Sequence, residues 1–196
     1  MRPERSTTRY RRKTIIARST GEGWEARAFD NKKPASQIHI RPTSDEAILA
    51  VKADLDHEAA EERSRRAEDG FPTTELVEQA FLRILPSEGQ LAMLTAHLNA
   101  PDQILTATEL AAAAGKESYE YANSQYGRLA RDLAEEMEFT PSQTYSSTGQ
   151  PIWTYTLATG VSDGTPAEPS DEYVEWRWKL RPQLVEALMS LGISGA

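Results

Sequence analysis

The sequence contains no cysteine, and this absence removes several kinds of chemistry at once. Without thiols there is no disulfide, no zinc–thiolate site and no thiol nucleophile, and the composition fits a reducing compartment. No hydrophobic run approaches the roughly 18 residues of a membrane span. The first 13 residues are polar and arginine-rich, unlike the apolar middle of a signal peptide. We therefore expect a cytoplasmic protein that does not associate with membranes.

Recognisable catalytic motifs are also missing. The segment Gly160–Gly164 matches the G-x-S-x-G nucleophile elbow by letter, but an elbow needs a helix directly after the serine and a histidine later in the chain. Here Pro166 follows closely, and the last histidine is His97. We interpret this segment as the tip of a loop.

The groups that usually hold metals are scattered. The three histidines lie in three different predicted elements, without the spacing of a zinc or iron site, and are expected at the surface or half-buried: His39, His57 and His97. The acids within 54–58 point apart on a helix, so they cannot converge on one magnesium ion and should form a solvated face. We expect no catalytic residues, no metal and no cofactor, and hence a protein that is not an enzyme.

What is present is an ordinary globular composition with an uneven charge. The 196 residues are 39% hydrophobic and 27% charged, enough for two small domains with cores. The net charge is -8, but residues 1–41 hold 11 Lys+Arg against 4 Asp+Glu, while residues 42–196 hold 11 against 26. A basic end on an acidic chain is as typical of a solubilising tail as of a nucleic-acid contact surface.

The N-terminal part has the pattern of a small β-β-β-α unit. Strands are predicted at 14–18, 24–29 and 37–41, the last with Ile38 and Ile40 on its buried face. A capping box formed by Thr43 and Glu46 then predicts a helix from about Ser44, which would cover the apolar face of the sheet.

The rest of the sequence is predicted to form two further segments, so that the chain has three parts. The first helix continues towards residue 66 as a solvated linker helix and is followed by an amphipathic helix that ends at Pro86. The predicted organisation is a basic β-β-β-α unit at 1–66, a linker and amphipathic helix at 67–86, and a C-terminal domain at 87–196.

The C-terminal domain has the pattern of three helices followed by a hairpin. Capping boxes begin helices near Ser87 and Thr106, and a third helix spans 119–137. Strands are predicted at 152–157 and 174–180, separated by a loop over 158–171, and a last helix at 182–191. This order is typical of a winged helix. The predicted fold class is α+β, with a winged-helix-like helical domain that carries a β-hairpin and a C-terminal helix.

Two surfaces have the residues that nucleic-acid binding requires. On the N-terminal sheet, the face opposite the helix is predicted to display cations that contact phosphates, together with the adjacent loop: Lys13 or Arg18, Arg27, Lys32, Lys33, His39 and Arg41. On the third helix, the polar face offers donors and acceptors for base edges, as a recognition helix would: Asn123, Ser124, Gln125, Arg128 and Arg131.

An acidic surface supports a different hypothesis. The third helix ends in carboxylates that would repel phosphates but could bind a basic channel on a protein partner: Glu135, Glu136 and Glu138.

Part of the C-terminal half resembles a known domain. The segment Tyr121–Ala130, followed by Pro151–Trp153 and by Glu175–Pro182, resembles a small domain of bacterial HNH endonuclease-type restriction proteins. The resemblance covers roughly 94–191. In such proteins the nuclease is a separate module, and the resemblance does not imply one here, because there is no cysteine and no histidine pair to form its metal site.

The N-terminal part has its own resemblance. Through Gly23–Arg27 and Thr43–Ala47, residues 14–55 are similar to the three-stranded-sheet DNA-binding domain at the start of phage integrases. The catalytic recombinase domain that would follow is missing, so the resemblance implies binding only.

The favoured hypothesis is a non-catalytic nucleic-acid-binding protein of bacterial or phage defence and mobile-element biology, with DNA as the expected partner. The alternative is an acidic phage-encoded inhibitor, similar to anti-CRISPR proteins, that binds a nucleic-acid-binding defence complex. A homodimer is compatible with either. An enzyme whose site is assembled from unaligned residues is the third alternative.

Overall fold

The chain folds into two compact units, residues 1–65 (unit 1) and residues 66–196 (unit 2). The computed structural model describes residues 4–162, 165–166 and 176–193. The fold class is α+β, as predicted, with antiparallel sheets in both units. Among the described residues, no helix combines the length and the apolar character that a membrane span requires.

Unit 1 is an antiparallel sheet followed by one long helix: β1 (Arg5–Tyr10), β2 (Lys13–Thr20), β3 (Gly23–Asp30), β4 (Lys33–Pro34), β5 (His39–Arg41) and α1 (Ser44–Ser64). The strand order is β1-β2-β3-β4, and β5 also pairs with β3. The basic N-terminal segment is therefore a strand, β1, which the sequence pattern did not predict. Its six residues alternate strictly between exposed and half-buried, the pattern of an edge strand with one solvated face.

Helix α1 covers one face of this sheet. It begins at a complete capping box between Thr43 and Glu46, as predicted. Its apolar side packs on a smooth sheet surface in which alanine allows close approach; the buried residues of this core are Ile15, Ala17, Ala26, Ala28, Ala47, Ile48, Val51 and Leu55. We call this side of the sheet the helix side and the opposite side the outer face.

Among the acids of α1 at 54–58, Glu58 is exposed as expected, whereas Asp54 and Asp56 are half-buried and accept hydrogen bonds. Asp56 accepts hydrogen bonds from the Tyr10 hydroxyl at 2.8 Å and from Arg11 Nε at 2.6 Å. These two donors, Arg11 above all, hold the pKa of the Asp56 carboxyl below its usual value. The contact fastens the β1–β2 turn to α1.

The described part of unit 2 contains five α-helices and a small sheet: α2 (Thr74–Arg83), α3 (Glu88–Asn99), β6 (Ile104–Thr106), α4 (Ala107–Ala113), α5 (Tyr119–Glu136), β7 (Ala158–Ser162), β8 (Thr165–Pro166), β9 (Arg177–Leu180) and α6 (Pro182–Ser190). The capping boxes at Ser87 and Thr106 are confirmed. The sheet order is β6-β9-β7-β8.

Helix α2 belongs to the core of unit 2 rather than to a linker. Phe71, Val77 and Ala80 are fully buried in the same cluster as the residues of α3, α5 and α6. The Phe71 ring meets the Phe139 ring edge-to-face, with centroids 5.2 Å apart. The predicted segment at 67–86 therefore contributes part of the hydrophobic core.

The predicted hairpin is displaced along the chain. Residues 153–156 form a turn of 3₁₀ helix instead of a strand, and the strand follows at Ala158–Ser162, inside the predicted loop. Tyr155, Thr156 and Leu157 are buried in succession, which a strand with one solvated face does not allow. Positions 174 and 175 of the second predicted strand, and positions 163 and 164 of the serine motif, lie outside the described residues.

A buried histidine joins α3, α5 and the sheet. His97 is fully buried, in contrast to the expectation that it would be at the surface or half-buried. Its Nε2 lies 2.7 Å from the carbonyl oxygen of Trp178, which can only accept, so Nε2 carries the proton. Nδ1 then accepts the hydroxyl proton of Tyr126 at 2.9 Å. Burial lowers the pKa of His97 to about 4 and raises the pKa of Tyr126, so both groups are neutral.

Arg181, just before α6, is a second polar anchor. Its side chain is buried, donates from Nε to the carbonyl oxygen of Tyr155 at 2.7 Å and pairs with Asp69 at 2.6 Å. The guanidinium carbon also lies 4.3 Å from the centre of the Phe71 ring. Burial raises the pKa of Asp69, but the hydrogen bonds from Arg181 and from the Phe71 backbone outweigh it, and the net shift is downward.

Candidate nucleic-acid interface

The outer face of the unit 1 sheet carries a group of arginines brought together by strand register. Each row of the register joins residues of β1, β2 and β3 in that order, and on the outer face the rows are Arg5–Arg18–Glu25, Thr7–Ile16–Arg27 and Arg9–Thr14–Phe29. These residues alternate with the buried residues that face α1, so they project to the opposite side. We call the four cations Arg5, Arg9, Arg18 and Arg27 the arginine face.

Two members of the arginine face are held in place and two extend into solvent. Arg18 forms an ion pair with Glu25 on the neighbouring strand. Arg27 donates from Nε to the carbonyl oxygen of Ser36 at 2.7 Å. Arg5 and Arg9 are exposed, and within the part of the chain that the structure describes their guanidinium groups have no protein partner. An exposed guanidinium retains its hydrogen-bond donors for an external anion such as phosphate.

Charge is distributed unevenly between the two sides of unit 1. The outer face of the three main strands has four arginines and one acid, Glu25. Helix α1, on the other side, carries seven Asp or Glu against two Lys or Arg. A polyanion is therefore attracted to the sheet side and repelled from the helix side.

Three of the predicted sheet residues lie on the wrong side. Lys13 pairs with Tyr10, Arg41 pairs with Trp24 and His39 pairs with Ala26, and all these partners belong to the helix side. His39 Nε2 lies 2.6 Å from Asp54 on α1 and is mostly buried. The expectation that Arg27, His39 and Arg41 share one face is wrong.

The prediction is wrong because β5 turns His39, and not Ile38 and Ile40, towards α1. The sequence placed Ile38 and Ile40 under the helix, but polar contacts decide the orientation. Gln37 as well as His39 bonds to Asp54 at the edge of the sheet, and this network lowers the pKa of Asp54, chiefly through the hydrogen bond from His39. A shift of one residue moves every side chain of a strand to the other face.

The two loop lysines are accessible. Asn31 and Lys32 occupy the tight turn between β3 and β4, both with positive φ, and Lys32 and Lys33 are exposed. Lys33 pairs with Asp30 in the β3–β4 ladder, and Asp30 belongs to the helix side, so Lys33 does not join the arginine face, contrary to the prediction. These lysines lie at the end of the sheet, beside the row that contains Arg9 and Phe29.

The polar face of α5 in unit 2 is exposed but not basic. Asn123, Ser124, Arg128 and Arg131 are exposed, as predicted, whereas Gln125 is half-buried. Arg131 is paired with Glu135 at 2.8 Å, and the exposed side of the helix also carries carboxylates, at Glu120 and Asp132. This helix offers hydrogen-bonding groups without the positive field of the arginine face.

The acidic trio does not form one open surface. The Glu136 side chain is only 8% exposed and pairs with Arg83 at 3.0 Å, so its predicted availability to a partner is wrong. Glu135 is exposed but engaged with Arg131. Glu138 follows the helix at positive φ, and its backbone oxygen accepts a hydrogen bond from Arg66.

Sequence reasoning missed Arg5 and Arg9, which complete the arginine face. The signal was present in the alternation of Arg5, Thr7 and Arg9 with Ser6, Thr8 and Tyr10, which has the period of a strand. It is easily overlooked because β1 has no buried aliphatic residue.

The described residues do not form a metal site. Within residues 4–162, 165–166 and 176–193, no three His, Asp or Glu side chains are grouped so that they could hold a metal ion. The chain matches no known family model, no curated protein sequence and no solved structure. Its function must therefore be inferred from the geometry and chemistry of the chain itself.

Proposed function

We propose that the protein binds double-stranded nucleic acid, with DNA as the expected form, through the arginine face of unit 1. The observation that carries the proposal is the alignment of Arg5, Arg9, Arg18 and Arg27 on one solvated face of a three-stranded ladder. Lys32, exposed in the turn between β3 and β4, adds a further cation at one end of this face. Clustered cations of this kind contact phosphates and release counterions, the main source of affinity for a duplex.

The dimensions of the sheet support insertion into a groove. Neighbouring strands are about 4.8 Å apart, so β1, β2 and β3 span about 10 Å from first to last backbone. The major groove of B-DNA is about 12 Å wide. Because only one face is covered by α1, the outer face can approach a duplex without rearrangement.

Unit 2 has a different task in this proposal. The order α3, α4, α5, β7, β9 is the helix-helix-helix-hairpin order of a winged helix, and we propose that it is a winged-helix-like module. Unit 2 holds 8 Lys+Arg against 19 Asp+Glu, which disfavours a phosphate-binding role. We propose that it binds a protein partner, in bacterial or phage defence or mobile-element biology, the setting that both sequence resemblances imply.

The proposal predicts the salt dependence of binding. For the full-length protein and a labelled duplex, log K should fall linearly with log salt concentration in a fluorescence-anisotropy titration. Removing one arginine that contacts a phosphate should lower the slope by about 0.9. Arg5→Gln with Arg9→Gln should therefore lower it by nearly 2 and weaken binding to all sequences alike.

A matched control separates this surface from general charge. Arg63→Gln with Arg65→Gln removes two exposed cations from the end of α1 in the same unit. This variant should keep the wild-type slope. If the wild-type protein shows no salt-dependent binding, or if both double variants lower the slope equally, the arginine face is not a nucleic-acid surface, and an inhibitor that uses the acidic unit 2 becomes the better explanation.

A further inference from the structure

Two large aliphatic side chains are exposed beside the arginine face. Ile38 is 52% exposed and Ile40 is 51% exposed. Both flank His39, and the side chains of Gln37 and His39 turn towards Asp54 on α1. Because successive residues of an extended chain project to opposite sides, Ile38 and Ile40 project to the outer face.

The strand register places Ile40 next to the charged groups of the outer face. Ile40 pairs with Glu25, which pairs with Arg18, which pairs with Arg5, so one row across the sheet runs from an aliphatic to a cationic end. An occupant that complements this row must present an apolar group and an anion on the same side.

The major groove of duplex DNA has this combination. Its edges are phosphates, and the C5 methyl group of thymine is the apolar group that a base displays there. Aliphatic side chains on a reading element commonly contact this methyl group, whereas RNA carries uracil and has a narrow, deep major groove.

We propose that Ile38 and Ile40 contact thymine methyl groups, so that unit 1 prefers thymine-containing double-stranded DNA. This inference rests on the proposed function, since it assumes that the arginine face lies along the groove. It assigns the arginines to affinity and the isoleucines to discrimination between bases.

The test compares duplexes that differ only in the methyl group. Full-length protein is used to enrich binding sequences from a random DNA duplex pool, and the enriched duplexes are resynthesised with deoxyuridine in place of thymidine. Affinities are measured for the wild type, for Ile38→Ala with Ile40→Ala, and for Leu49→Ala. Leu49 is the matched control because it is equally aliphatic and 62% exposed, but lies on α1.

We expect uracil substitution to weaken wild-type binding about fourfold for each methyl group contacted. The double isoleucine variant should bind both forms equally and keep the wild-type salt slope. Leu49→Ala should keep the preference for thymine. Both variants should melt near the wild-type temperature, since the side chains removed are more than half exposed.

Failure of this inference differs from failure of the proposed function. Equal affinity of the wild type for both duplex forms, with a normal salt slope, overturns the methyl contact and leaves the phosphate contacts intact. Absence of salt-dependent duplex binding overturns both. If sedimentation shows a wild-type dimer that the isoleucine variant converts to a monomer, a second copy of the chain covers these side chains, and the methyl contact is overturned.

Discussion

The buried His97 should make unit 2 lose stability when the pH falls below neutral. In the folded state its pKa is about 4, against 6.5 for an ordinary histidine. Desolvation is the main cause of the lowering. The carbonyl oxygens of Trp178 and Gln103 and the charge of Glu109 act in the opposite direction but do not overcome it.

Proton linkage gives the direction and the size of this change in stability. Between pH 6.5 and about 4 the unfolded chain binds a proton at His97 that the folded chain does not, so stability decreases as the pH falls. One pKa unit corresponds to about 1.4 kcal/mol, so the total decrease by the end of this range is about 3 kcal/mol. Asp69, whose pKa lies below 3.8 in the folded state, loses its stabilising ionisation only at lower pH.

Urea unfolding at pH 7, 5.5 and 4.5 measures this effect. Tryptophan fluorescence reports chiefly on unit 2, which contains Trp153, Trp176 and Trp178, whereas unit 1 contains Trp24 alone. The comparison variant is His97→Gln, which stays neutral and keeps an amide donor. This variant should be less stable than the wild type at pH 7. Between pH 7 and 4.5 its free energy of unfolding should fall only as far as protonation of its carboxylates requires. If the free energy of unfolding falls equally with pH in both proteins, His97 is not the cause.

Three other changes test the packing of unit 2, each by thermal and urea unfolding. Phe71→Ala should cost about 3–5 kcal/mol, and a fragment beginning at residue 74, which lacks Phe71, should be destabilised relative to one beginning at residue 66; equal stability would contradict the burial of Phe71 in the core of unit 2. Arg181→Ala should cost about 2–3 kcal/mol because it removes charged hydrogen bonds; a neutral effect would show that these hydrogen bonds do not stabilise unit 2. Gly160→Ala should cost about 1–3 kcal/mol, because its Cβ would lie 2.7 Å from the Trp176 ring; unchanged stability would show that the ring moves freely.

Local patterns in the sequence determined most of the elements. The three capping boxes at Thr43, Ser87 and Thr106 predicted helix starts correctly, because the hydrogen bonds of a capping box join residues only three positions apart. The long polar–apolar repeat of α5 and the exposed Arg177 and Lys179 on β9 were also predictable. The sequence likewise determined that the cations are concentrated near the N-terminus.

Tertiary structure decided which residues share a face. Hydropathy favoured Ile38 and Ile40 as buried, but the contacts of Gln37 and His39 with Asp54, about 15 residues away in the chain, reversed β5. Arg5 and Arg9 lie on the same face as Arg18 and Arg27 because β1 pairs with β2, and an edge strand without aliphatic residues gives no sequence signal of that pairing. Glu136 became buried through Arg83, 53 positions away. Side-chain periodicity assigns residues to the faces of one element, but only pairing between distant segments determines which face is buried and which cations meet.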